Sequence, residues 1–304
     1  MLNDTIAKEV TRLKKEKNAV ILAHYYTDGA VQALADFVGD SFYLAKQAAK
    51  TNADILVFCG VAFMAESAKI INPQKKVLMP DTSADCPMAH MADAERIAEM
   101  RRKYDDLAVV CYINSTTTLK CLSDVCVTSS NAIKIVNSLP NKNIFFIPDK
   151  NLGRYVAEQL PEKNIILNDG FCPIHNSVTA NDVITAKSAH PYATVLAHPE
   201  CQKDVLALAD YIGSTAEMLD YAEKSDAKQF IICTEDGVSY PLTRNNTNKE
   251  FFFVKENFRC ANMKLITPEK VLNALKNESG EITVCDEIIK KAVLPLDKML
   301  ELGR

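Results

Sequence analysis

Three cysteines occupy one slot of a threefold pattern: Cys86 in "ADCPMAH", Cys172 in "GFCPIH" and Cys260 in "FRCANM". They lie 86 and 88 residues apart. None of the ten cysteines forms a C-x-x-C pair, so any metal site must be assembled from distant parts of the chain. Three thiolates could hold zinc, although an open zinc centre more often uses imidazole and carboxylate. They also suit a 4Fe-4S cluster, which normally takes four. With three, one iron stays open as a Lewis acid that can bind a hydroxyl or carboxylate and assist loss of water.

Other polar residues repeat with the same spacing. His24, Tyr112 and His198 each stand near the end of an apolar run, 88 and 86 residues apart. Ser41, Ser129 and Thr215 follow the same interval. Glu200 is two residues beyond His198, which on an extended strand puts both on one side. A carboxylate there can act as a general base. Asn114 has the same relation to Tyr112, and Tyr26 to His24. Each hydroxyl precedes a helix-like segment. It can serve as a structural N-cap, or, with the free amides and dipole of the helix end, as part of a carboxylate or phosphate site.

The elements that must carry these groups are legible in the apolar runs. "VILAHYY" (20–26), "AVVCYIN" (108–114) and "TVLAHPE" (194–200) superpose without gaps. "ADFVGDS" (35–41), "SDVCVTS" (123–129) and "ADYIGST" (209–215) follow them and end in the three hydroxyls. Second strands read "DILVFCG", "NIFFIPD" and "QFIICTE"; third strands read "KVLMPD", "NIILND" and "EFFFVK". Buried strands alternating with helices specify parallel βαβ units. The expectation is an α/β protein of three homologous three-layer α/β/α domains with parallel sheets around a pseudo-threefold axis. Residues 1–104, 105–190 and 191–264 form the repeats, and 265–304 a closing helical segment. Ligands of parallel α/β units bind outside the carboxyl ends of the strands, so the three sets of loops are expected to share one cavity.

Composition excludes several classes. A net charge of −4 gives no broad basic surface for nucleic acid or anionic membrane. The N-terminal stretch is amphipathic and charged rather than a signal peptide, and no run approaches the length of a membrane span. The reading is an intracellular chain whose thiols are reduced or metal-bound. The seven cysteines outside the repeat slot read as small buried hydrophobes.

In order and spacing, "LAHYY", "ADFVGDS", "CPMAH", "CYINS", "TSSNA", "PDKNLG", "GFCPIH", "AHPEC", "GST" and "CANM" make the chain resemble the iron–sulfur quinolinate synthase family, over about residues 18–272. The resemblance implies a 4Fe-4S cluster on Cys86, Cys172 and Cys260. It implies condensation of iminoaspartate with dihydroxyacetone phosphate to quinolinate, phosphate and two waters, in cytoplasmic NAD biosynthesis. The iminoaspartate would come from an aspartate-oxidising enzyme. Substrate contacts carry over to His24, Ser41, Tyr112, Asn114, Ser129, His198, Glu200, Ser214 and Thr215. Catalytic roles carry over to Tyr26, Glu200, Tyr112 and His198. Two departures are local: Ala261 stands where the family has proline, and Glu217 follows "GST" and is expected to point outward. Alternatives are a cluster-dependent hydro-lyase acting on another acid and a non-catalytic metal-dependent sensor.

Overall fold

The computed structural model describes residues 4–303; Met1–Asn3 and Arg304, the outer ends of the first and last expected segments, lie outside the described residues. Among the described residues twelve strands form three separate four-stranded sheets. The first holds β1 (Ala19–His24), β2 (Phe37–Gly39), β3 (Ile55–Cys59) and β4 (Lys76–Leu78), in the order β2-β1-β3-β4. The second holds β5 (Leu107–Tyr112), β6 (Val125–Val127), β7 (Asn143–Ile147) and β8 (Asn164–Leu167), in the order β6-β5-β7-β8. The third holds β9 (Thr194–Ala197), β10 (Tyr211–Ile212), β11 (Gln229–Cys233) and β12 (Glu250–Phe253), in the order β10-β9-β11-β12. Every pairing between these strands is parallel. The central strands are continuous apolar runs because helices cover both sheet faces.

The sequence template has three strands per unit, and the structure has four. The missing one is the segment before each hydroxyl, which pairs along the edge as β2, β6 or β10. With two or three residues each, these strands have no periodicity of their own to read. The extra strand matters for function. Chain order reverses between β1 and β3, β5 and β7, and β9 and β11, and a crevice opens at the carboxyl ends of such a switch.

The first two sheets share one apolar core with the helix Asp286–Leu302, which packs on β6 and on the helices Thr117–Cys121 and Ala62–Ile71. The third sheet has its own core on each face. Val195, Ala197, Ile231 and Cys233 belong to one; Leu196, Phe230 and Ile232 belong to the other. The split follows the two-residue alternation of a strand. Each fully buried Leu, Ile or Phe contributes roughly 1.5–3 kcal/mol.

Of the seven cysteines expected to be buried, Cys59, Cys111, Cys126, Cys201 and Cys233 are. Cys121 is half-buried and Cys285 is exposed, because it precedes the closing helix on the surface.

Candidate active site

The strand-end residues sit where the switch points require. His24 ends β1, Tyr112 ends β5, and His198 follows β9 directly. The two-residue pairing arises differently from the expected pleat, because the chain turns after each strand. Thr27 N–H donates to the His24 carbonyl (3.0 Å) and Cys201 N–H to that of His198 (2.9 Å). Within these turns Tyr26 N–H donates to His24 Nδ1 (3.1 Å) and Glu200 N–H to His198 Nδ1 (3.3 Å). A ring nitrogen that accepts an amide proton leaves the other as N–H. Both imidazoles therefore carry the proton on Nε2.

The hydroxyls are released from capping by the residues before them. Asp40 caps the helix Ser41–Lys50 by accepting from Tyr43 N–H. Ser214 caps Thr215–Lys224 in a capping box with Glu217. Ser41 and Thr215 are left free to face inward. Glu217 is exposed, its carboxylate accepting from Ser214 N–H (2.7 Å). Ser129 lies before the helix Ala132–Ser138, 3.3 Å from His198 Nε2.

One cavity of ≈ 70 Å³ collects these groups. His24, Tyr26, Ser41, Tyr112, Asn114, Ser129, His198, Glu200 and Thr215 line it, together with Cys86, Cys172 and Cys260. Ser214 does not; its hydroxyl is spent on the cap. Two buried acceptors on the wall, Asn114 Oδ1 and Glu200 Oε1, have no protein partner. Such groups are costly unless a ligand or water meets them.

Across the cavity runs a chain of short contacts drawn from all three repeats. Tyr26 Oη lies 2.8 Å from both Thr215 Oγ1 and Thr234 Oγ1. Thr234 Oγ1 lies 2.9 Å from His175 Nε2. His175 Nδ1 lies 2.7 Å from Glu200 Oε2. His175 also stacks on His198, with centroids 4.6 Å apart.

The thiols do not suit a single ion. A tetrahedral zinc with sulfur at about 2.3 Å holds its sulfurs about 3.8 Å apart. Cys86, Cys172 and Cys260 do not form a set within 4.8 Å of one another; among the described residues that distance is met only by Cys172, His175 and Glu200. In that trio His175 and Glu200 already satisfy each other. Three soft thiol donors from three separate loops line the one cavity, a donor set that suits a soft metal centre. A model of the family described as quinolinate synthetase A protein matches residues 8–301.

The chain belongs to the quinolinate synthetase A family. Similar proteins named quinolinate synthase include one from Fusobacterium nucleatum, 53% identical over 294 residues (97% of this chain, 98% of the relative). Another, from Aquifex aeolicus, is 50% identical over 303 residues, covering 98% and 94%. One from Clostridioides difficile is 47% identical over 302 residues, covering 99% of each.

Electrostatics of this family member's site follow from its burial. Desolvation pushes His24 and His198 down to about 3, so both are neutral N–H donors at pH 7. Burial, reinforced by Glu200, raises the Tyr26 and Tyr112 phenols well above their usual range. Burial alone would raise Glu200 too, but His175 and His198 beside it hold it at about 2. A stability effect follows. Below pH 6.5 the unfolded chain binds protons at His24 and His198 that the folded chain refuses. Stability should therefore fall as pH drops from 6.5 toward 3, by about 3 kcal/mol per histidine at pH 4. Thermal melts at pH 7.5, 5.5 and 4 check this; an unchanged midpoint contradicts it.

Sequence reasoning passed over His175 and Thr234. His175 stands three residues after a repeated cysteine, in the quoted motif "GFCPIH", which was the only signal for it. Thr234 has no motif, and only its position beside the end of β11 could have raised it. Among the described residues no helix is long and apolar enough to cross a membrane.

Proposed function

We propose that this chain is a quinolinate synthase. It condenses iminoaspartate with dihydroxyacetone phosphate to give quinolinate, inorganic phosphate and two waters. The observation that carries this reading is a buried cavity with one thiol from each repeat, faced by the Tyr26–Thr234–His175–Glu200 chain. We assign Cys86, Cys172 and Cys260 as ligands of a 4Fe-4S cluster; the convergence of one thiol from each repeat on a single cavity supports it. The three separate sheets support dividing the chain into repeats 1–104, 105–190 and 191–264. Work in the cytoplasm, on iminoaspartate from an aspartate-oxidising enzyme, completes the reading.

When bound, the cluster supplies a Lewis-acidic iron without a protein ligand. The chain's own residues bind, orient and move protons. The Nε2–H groups of His24 and His198 and the hydroxyls of Ser41, Ser129 and Thr215 are donors for substrate carboxylate and phosphate oxygens. Asn114 Oδ1 and Glu200 Oε1 are unsatisfied acceptors, suited to the N–H and O–H groups of the condensing substrates. Tyr26 can pass its proton to Thr234 Oγ1 while Thr234 gives its own to His175 Nε2. His175 Nδ1–H faces the Glu200 carboxylate, which stabilises the imidazolium that forms. The phenoxide left behind is a base buried beside the reacting carbons. Reversal of the path returns the proton to a leaving hydroxyl, so one chain serves both isomerisation and dehydration. Burial excludes bulk water, which would otherwise hydrolyse an imine.

Anaerobic reconstitution should give a brown protein with about four irons and four sulfides per chain. It should form quinolinate from the two named substrates. Absence of bound iron and sulfide would sink the cluster assignment. Bound cluster without quinolinate, but with water loss from another hydroxy acid, would favour the hydro-lyase alternative.

A further inference from the structure

Each repeated cysteine has its backbone N–H held by a carboxylate. Cys86 N–H donates to Asp85 Oδ1 (2.7 Å), Cys172 N–H to Asp149 Oδ2 (3.0 Å) and Cys260 N–H to Glu235 Oε1 (2.9 Å). Asp149 and Glu235 are equivalent, each two residues past the end of its strand, β7 or β11. Both are fully buried. The first repeat has Val61 at that place, two residues past β3. There the bond is made instead by the adjacent, half-exposed Asp85. The same contact thus recurs where the repeat position does not supply it, which shared ancestry of the repeats does not explain.

The donors around the two buried acids identify them as carboxylates. Asp149 accepts Leu152 N–H on one oxygen (2.7 Å) and Cys172 N–H on the other. Glu235 Oε1 accepts from Cys260 N–H and Lys264 Nζ (2.9 Å), and Oε2 from Gly237 N–H (2.7 Å). Burial pushes both groups upward. Yet oxygens that face only donors have no use for a proton of their own.

An amide N–H beside an iron–sulfur centre can donate to a sulfur of the centre or of a neighbouring ligand, though not in line to the Sγ of its own residue. Hydrogen bonds to the sulfurs, net charge and solvent exposure set the potential of an iron–sulfur centre. A carboxylate that takes the amide removes one such bond and adds buried negative charge, in full at Asp149 and partly offset at Glu235 by Lys264. Both effects disfavour an added electron. We propose that Asp149 and Glu235 are positioning residues for the metal centre: they hold the amides of Cys172 and Cys260 away from sulfur and keep the reduction potential low. Lys264 extends the Glu235 contact to the catalytic loop by donating to the Tyr26 carbonyl (2.9 Å). The inference rests on the cluster reading of the preceding section.

The test uses the full chain, anaerobically reconstituted and analysed for iron and sulfide, in a redox titration followed by electron paramagnetic resonance. Asp149→Asn should shift the one-electron equilibrium toward reduction at least tenfold, about 59 mV upward, and Glu235→Gln, whose charge Lys264 partly offsets, should shift it in the same direction by less. Asp85→Asn, at a half-exposed carboxylate, should shift it by less than half as much. Loaded buried-site variants with the wild-type midpoint would overturn the inference while leaving the cluster reading intact. Wild-type protein without iron or sulfide would sink both. A measurement on wild type alone covers variants that fail to load. With ¹⁵N-labelled cysteine, the paramagnetic centre should show no amide coupling of hydrogen-bond size at Cys172 or Cys260. Such a coupling would overturn the inference whatever the variants do.

Discussion

Replacing Cys86, Cys172 or Cys260 by alanine, one at a time, is expected to abolish the stable cluster and take turnover to background. The three thiols come from three repeats and line one cavity, so no single loop holds enough donors to retain the centre. Each removal leaves two thiolates, half the usual number of protein ligands. The fold should survive, since all three side chains are only partly buried and sit at the rim of the shared core rather than within it. Cys59→Ala and Cys285→Ala are the matched comparisons. Cys59 lies in β3, and Cys285 is exposed at the surface; neither lines the cavity. Both should load iron as wild type does, with a cost of about 1 kcal/mol for the small cavity at Cys59. Iron and sulfide analysis beside thermal melts decides the matter. A normal cluster in Cys260→Ala would refute the three-repeat ligand set.

Tyr26→Phe is expected to lower kcat by about 10³-fold while iron content stays at the wild-type level. A positioned acid–base group contributes about 10² to 10⁴ in rate, and Tyr26 is the cavity end of the proton chain. The substitution removes one oxygen and leaves the Thr215 and Thr234 hydroxyls without their 2.8 Å partner. The ring and its edge contact with His24 remain, centroids 4.5 Å apart. Thr234→Val breaks the same chain one step further on, between Tyr26 and His175, and should cost about 10²-fold. If the path acts as a unit, the double variant should be little worse than Tyr26→Phe alone. Steady-state kinetics normalised to bound iron separate this from cluster loss. A Tyr26→Phe enzyme within threefold of wild type would remove Tyr26 from the proton path.

Much of this architecture can be read along the chain because it is local or repeated. The apolar runs at 20–26, 108–114 and 194–200 mark β1, β5 and β9, since a strand covered on both faces needs continuous apolar residues. The cysteine slot is legible for the same reason: a short loop puts it 8, 5 and 7 residues past the ends of β4, β8 and β12. Other features were hidden. The edge strands β2, β6 and β10 are too short to have a period. The closeness of His198 to Glu200 suggested a pleat, whereas a turn creates it. Ser41 and Thr215 looked like caps because caps favour their residue types; the actual caps, Asp40 and Ser214, stand one position earlier.

By itself the sequence determined that three α/β units recur, that each contributes a thiol, and that polar groups cluster at strand ends. Those properties depend on residue types a few positions apart. Only the tertiary structure decided that Tyr26 meets Thr234, that Thr234 meets His175, and that His175 meets Glu200. The partners are separated by 208, 59 and 25 residues along the chain. No periodicity encodes such distances; they are set by how three sheets pack. The same holds for Asp149 and Glu235, whose carboxylates act on cysteines 23 and 25 residues away. A strand-end acid is ordinary in sequence and acquires a role only when the folded loop returns a backbone amide to it.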